Sequence, residues 1–369
     1  IALLLGQGKN KEANGLFSAA FCMILGIGVL FSLVGFLAAP RLINLLIKDT
    51  TLAEVAWDYT RIFLYFMPAI MPLFAVDNYL RICGKANFSM WMNISVAVLN
   101  IFLDWFLLAY LRLDIRFAAL ATSVSMTLGV LIALTPIVLR KLTLRFTRPR
   151  ISLSTTLGIF HNGSSEFFNN ISGSFMSTVV NAFLLHLGGG TAVAAYGIVM
   201  YLDSLLLMAL YGILDSLQPP VSYNIGAGNH QKAREFFRLS CKVTATISMV
   251  CLLAMVCFPK ELASLFLQDN SEEVLEMTVT ALRLYAPAYL FLWLNMVISS
   301  FLTAMDRARD SLTIMLFRAL IFPALSLAVF PQILGVTGIF ITPAISGALT
   351  VIISTTIWRR LGKQQPQEA

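Results

Sequence analysis

Apolar runs close to twenty residues long recur along this chain from end to end, and they limit what it can fold into. A helix rises about 1.5 Å per residue, so each run can cross the ~30 Å hydrocarbon core of a bilayer. Ten candidate spans follow, near 15–38, 59–80, 88–110, 117–139, 157–185, 192–218, 236–258, 281–304, 312–334 and 337–358. Of the 369 residues 58% are hydrophobic and 12% charged, a balance foreign to soluble domains. The expected fold class is therefore all-α, a polytopic membrane protein. No run shows the short apolar core and small-residue cleavage site of a signal peptide, so each is read as structural.

The spans are organised as a repeat. Ala2–Asn14, ALLLGQGKNKEAN, returns 220 positions on as Ser222–Arg234, SYNIGAGNHQKAR. Gly6, Gly8 and Ala13 fall on Gly226, Gly228 and Ala233. Further along, Asp49 falls on Asp269, Arg61 on Arg283, Lys85-Ala86 on Arg307-Ala308 and Arg140-Lys141 on Arg359-Arg360. Two copies of one unit are implied. Two lobes are expected, 1–145 with four spans and 146–369 with six, joined at a linker over 140–150 that Pro149 interrupts. The second unit holds two spans ahead of its glycine turn, whereas the chain opens almost inside the first turn. The expectation is that two helices are missing from the start of a twelve-helix, six-plus-six arrangement.

Loop charge orients the spans. Lys9 and Lys11, Arg81 and Lys85, the linker residues Arg140, Lys141, Arg145, Arg148 and Arg150, then Lys232, Arg234, Arg238 and Lys242 all fall on one side. Arg307, Arg309, Arg359, Arg360 and Lys363 join them, while Asp269, Glu272, Glu273 and Glu276 fall opposite. By the positive-inside rule the basic side, with the C-terminus, is cytoplasmic. The repeats then share one orientation, as in one class of secondary transporter whose lobes rock about a central site.

Polar groups at membrane depth are costly and mark function. Asn93, Asn100 and Asp104 share one face of span 88–110, with Thr122 and Ser125 on its neighbour. A carboxylate, amides and hydroxyls supply oxygen ligands for a proton or a dehydrated Na⁺, or else serve as inter-helical hydrogen bonds. Glu166, Asn170, Ser177 and Asn181 form a second stripe, with Asn169 beside it, and Glu166 lies near the bilayer midplane. A glutamate at that depth is either protonated or matched to a cation, so it can exchange a proton for a cationic substrate. Asp203, with Tyr201 nearby, is its expected partner on the next span. Asp77 is expected to pair locally with Arg81, Arg318 to snorkel, and Asn295 to line a cavity.

Other chemistries lack their residues. His161, His186 and His230 are scattered, and the spacing of the five cysteines suits neither a disulfide framework nor a metal site. GQGK and GAGN carry Gly-x-Gly without a preceding strand or a Walker lysine, so neither is a nucleotide site. Movement must then draw on an ion gradient. Phe167, Phe168, Met176, Met200 and Tyr201 lie on the polar spans, where rings and thioethers suit bulky organic cations.

The chain resembles the multidrug and toxic compound extrusion family over essentially its whole length. The likeness is strongest in LLGQGKNKEAN (4–14), NISVAVLNIFLD (93–104) and QPPVSYNIGAGNHQKAR (218–234), the last a specific signature. The resemblance implies a two-lobe antiporter that exports organic cations in exchange for Na⁺ or H⁺, with no other cofactor and no nucleic-acid partner. A monomer in a prokaryotic inner membrane is expected. Asn100, Asp104 and Thr122 match the family's N-lobe cation positions, and Glu166 looks like the acid on its seventh helix. Residues Gly163-Ser164-Ser165-Glu166-Phe167 are closest to prokaryotic members. Against the pattern, the family's first helix, whose aspartate completes the N-lobe site, has no counterpart here.

Two rivals stand beside this reading. A lipid or lipid-linked oligosaccharide flippase of similar architecture would line its cavity with several arginines or lysines. A membrane enzyme would need a clustered histidine pair with an acid.

Overall fold

The computed structural model describes residues 1–149, 152–267 and 272–364, excepting the side chains of Ser165 and of residues 362–364. Asp269, Arg150 and the Lys363 side chain, which entered the repeat and charge patterns, lie outside the described residues. Secondary structure throughout them is helical. Among the described residues, nine helical stretches are long and apolar enough to cross a membrane: α1 (Asn10–Leu46), α2 (Thr50–Ile82), α3 (Ala86–Tyr110), α4 (Arg116–Val138), α5 (Glu166–Gly226), α6 (His230–Cys257), α7 (Glu272–Ala304), α8 (Ala308–Leu334) and α9 (Val336–Leu361). Their outward faces carry bare apolar side chains such as Leu37, Leu46, Tyr65 and Met208, as helices in contact with lipid do.

Two of the expected runs, 157–185 and 192–218, share one of these stretches as two helices: the stretch starts at Leu153 and departs from helical geometry at Gly189, φ 64° and ψ −158°. Only glycine adopts that backbone without strain, so the triple-glycine turn is confined to one residue.

The chain divides into two compact units, Ile1–Thr156 and Leu157–Ala369. Each repeats the other's packing. In the first, α1 packs on α2, α2 on α4, and α4 on α3; in the second, α6 packs on α7, α7 on α9, and α9 on α8. Turn geometry repeats as well. The left-handed residues Gly8 and Gly84 recur as Gly228 and Asp306. Each closes its helix alike, Lys9 N–H bonding Leu4 C=O and Asn229 N–H bonding Asn224 C=O.

The linker expected over 140–150 is tied to the first unit up to Thr147. Helix α4 ends at Val138, Arg140 takes a left-handed φ of 56°, and the chain folds back along α1. Asn14 Oδ1 accepts the Arg145 N–H at 2.9 Å, Ser18 Oγ accepts the Thr147 N–H at 2.9 Å, and Leu142 and Leu144 are buried. Two buried leucines and two satisfied N–H groups outweigh the freedom of a loose linker.

Candidate functional site

In the first unit, α3 and α4 lie side by side, and Asn100 Nδ2 donates to Thr122 Oγ1 at 3.2 Å. One turn beyond, Asp104 is half-buried and its Oδ1 has no hydrogen-bond partner within the protein. The helix loosens from α to π geometry directly after it, over Trp105–Tyr110, a distortion common at functional positions. An orphaned carboxylate oxygen beside an amide and a hydroxyl fits a hard monovalent cation or a proton. The Ser125 hydroxyl donates to the Ala121 carbonyl of its own helix at 2.8 Å.

Asn93 belongs elsewhere. It donates to Asp77 at 2.7 Å, and Asp77 also holds Arg81 at 2.7 Å and accepts from Ser89. An ionised carboxylate on the adjacent helix is the stronger acceptor, which draws Asn93 away from Asn100 despite their shared face. The repeat reproduces this cluster without charge. Ser299, Thr303 and Ser311 stand where Asp77, Arg81 and Ser89 do, and Ser311 Oγ meets Ser299 at 2.9 Å and Thr303 at 2.8 Å.

The second unit buries an acid. Asp203 is 8% exposed and accepts a hydrogen bond from Tyr289 at 2.9 Å. Tyr285, one turn before Tyr289, lies within reach of the same carboxylate. These tyrosines take the place expected of Tyr201, which is exposed and stacks on Phe266 instead. Residues two apart on a helix face different ways, so Tyr201 does not accompany Asp203. The pair Tyr285 and Tyr289 was missed; its signal was two phenols four residues apart in an apolar span.

Arg318 does not snorkel. It sits in a π-helical turn, Phe317–Ile321, and donates to Asn169 Oδ1 at 2.8 Å, while Asn169 Nδ2 reaches Tyr211 at 3.1 Å. From there it acts electrostatically on both Glu166 and Asp203. Glu166 itself is exposed, as are Asn170, Ser177 and Asn181 along the same face. Asn170 also donates to the Glu166 carbonyl at 2.8 Å. Asn295 lines no cavity: it is fully buried, donating to Gly347 C=O at 3.1 Å and accepting from Ser354 at 2.7 Å. It ties α7 to α9.

Among the described residues, no group of three or more His, Cys, Asp or Glu side chains is placed to hold a metal ion. The polar groups are instead distributed along membrane-length helices. Fold and site together define a membrane carrier. The MatE family model matches residues 1–106 and 167–328, and the chain belongs to that family. It is accordingly a secondary transporter of the multidrug-efflux type, a multi-pass membrane protein and not an enzyme.

Among curated proteins, the chain is 26% identical over 367 residues to the FAD transporter of Shewanella oneidensis, covering 97% of this chain and 80% of that one. It is 22% identical over 363 residues to the multidrug export protein MepA of Staphylococcus aureus, covering 97% and 78%. Among solved structures, an outward-facing multidrug resistance MATE family transporter of the MOP superfamily superposes with a TM-score of 0.90 at 21% identity, covering 98% and 81%. That likeness shows the shared fold.

Proposed function

We propose that this chain exports organic cations in exchange for Na⁺ or H⁺ by alternating access. Asn100, Asp104 and Thr122 take the coupling cation in the first unit. Glu166, Asn170, Asn181 and Asp203 carry substrate or proton coupling in the second, and Tyr201 offers an aromatic face to the substrate. Ten spans divided at Gly189, from a twelve-helix plan with two parallel lobes, suit the repeat. Loop charge supports a cytoplasmic C-terminus in a prokaryotic inner membrane, with the carrier working as a monomer.

The observation that carries the reading is the polar stripe on α5. Glu166, Asn170, Ser177 and Asn181 are all exposed on one face of a membrane-length helix. Lipid does not tolerate such a face, so it borders water through which a cation can pass.

The test is dye export from liposomes holding the purified full-length transporter, under a Na⁺ gradient and a pH gradient in turn. Gradient-driven export of a fluorescent cation, abolished by Glu166→Gln or Asp104→Asn, is the expected result, and the productive gradient names the ion. Folded protein that exports no cationic dye under either gradient would sink the reading.

One observation favours a second cargo class. Arg318 lies among the second unit's polar groups, and its Nε has no partner within the protein. One relative is named an FAD transporter, and FAD carries a diphosphate. FAD or lipid pyrophosphate moved by the same liposomes, lost in Arg318→Gln and unaccompanied by dye export, would select an anionic cargo or a flippase.

A further inference from the structure

A cavity of about 390 Å³ opens at the basic end of the second unit, walled by Arg234, Phe237, Arg238, Phe301, Met305 and Trp358. Its counterpart in the first unit is filled by the chain's own linker. Phe237 meets Phe301 edge-on at 4.8 Å as Phe17 meets Tyr79 at 4.9 Å, so the two floors correspond ring for ring. On the first floor Phe146 of the linker packs against Phe17 at 4.9 Å, with Leu142 and Leu144 buried alongside.

The second unit cannot receive a strand in the same way. Helix α4 ends at Val138 and the chain turns back at Arg140, whereas the corresponding helix runs on from Val336 to Gln364. Trp358 on that helix stacks against Phe237 at 4.5 Å. The polar rim has also changed sign. Asn14 and Ser18 accept the linker's backbone N–H groups; their counterparts, Arg234 and Arg238, are donors only. Lys242 continues the stripe one turn on, where the first unit has Cys22. Among the described residues neither arginine is in an ion pair, and the neighbouring acid, Glu235, is engaged by Gln231 at 3.2 Å.

We infer that this cavity binds the phosphate headgroup and upper acyl chain of an anionic phospholipid. Arg234 and Arg238 hold the phosphate oxygens, with His230 at the rim, and the Phe237, Phe301 and Trp358 rings take the apolar part. The next face of α6, with Leu239, Val243 and Val250, is apolar and exposed, so the groove is continuous with a surface suited to hydrocarbon. A free phosphate would satisfy the arginines and leave the aromatic floor uncovered.

The full-length transporter would be purified, delipidated and melted in phosphatidylcholine nanodiscs with increasing phosphatidylglycerol. The inference expects the melting temperature to rise with phosphatidylglycerol, with the rise largely lost in Arg234→Gln/Arg238→Gln and reduced in Trp358→Ala. Native mass spectrometry should show a retained phosphatidylglycerol in the parent that the double variant lacks. A rise of equal size in parent and double variant would overturn the inference. So would an equal rise from inorganic phosphate alone, which would assign a free anion. Removal of residues 365–369 is the last arm. If lipid retention occurs only after that removal, the chain's own end is the occupant and the lipid assignment fails.

Discussion

The phenol of Tyr289 donates to the Asp203 carboxylate at 2.9 Å across 86 residues of chain, joining α5 to α7 inside the second unit. A buried acid held this way is both a structural tie and an expensive group. Tyr289→Phe removes the donor with little change in shape and should cost about 1–3 kcal/mol, because the acceptor stays buried without it. A lower melting temperature in detergent is expected. No change would mean that Tyr285 or water satisfies the acid unaided.

The first unit solves with charge what the second solves with hydroxyls, and that difference can be tested by transplant. Asp77→Ser alone leaves Arg81 half-buried without its carboxylate and should lower thermal stability. Asp77→Ser with Arg81→Thr installs the neutral set that Ser299, Thr303 and Ser311 already use, and should recover much of the loss. A double variant as unstable as the sum of its parts would show that the two clusters are not interchangeable.

Gly84 and Asp306 occupy the same left-handed turn position, with φ of 73° and 63°. Gly84→Ala should cost roughly 1–2 kcal/mol through backbone strain alone. Asp306→Gly should raise the melting temperature, offset in part by losing the 3.3 Å contact from Asn162. Opposite signs are the prediction, and a shared sign in thermal melts would refute it.

The linker covers Cys83, and burial pushes this thiol above its ordinary pKa, with backbone groups of Leu144 and Thr143 partly opposing the shift. The folded thiol therefore keeps its proton to higher pH than the unfolded chain would. What that contributes to stability is present at neutral pH and fades as the pH climbs through the alkaline range. Maleimide labelling of Cys83 should be slow at pH 7 and accelerate only at more alkaline pH than a free thiol needs. Asn14→Ala, which frees the Arg145 N–H, should speed labelling at pH 7. Equal rates with and without Asn14 would place the protection outside the linker.

If Asn100 and Thr122 meet around the coupling cation, Thr122→Val should shift the cation concentration for half-maximal export upward several-fold, leaving the maximal rate nearly unchanged. A fall in maximal rate with no shift would make their 3.2 Å contact a structural one.

Much of the scaffold could be read without coordinates. Period and length of the apolar runs settle on helices of membrane length, since unpaired backbone polar groups are not tolerated in hydrocarbon. The 220-residue echo located matching turns, and Gly8 and Gly228 share a left-handed φ because both close a helix in one way. The pairing of Asp77 with Arg81 was legible too, as partners four residues apart on one helix.

What the sequence by itself determined, then, was periodicity: helix, span, repeat and the side of each helix on which a polar group lies. Only the tertiary structure decided which of those groups meet. Asn93 turned to Asp77, Arg318 to Asn169 and Asp203 to Tyr289, because each partner lies on another helix and its approach depends on packing. The same holds at the basic ends of the two units. The turn at Arg140 lets the linker fill one groove, and the uninterrupted helix to Gln364 leaves the other lined by Arg234 and Arg238. Local spacing specifies a face, but a contact requires two faces, and their meeting is a property of the folded chain.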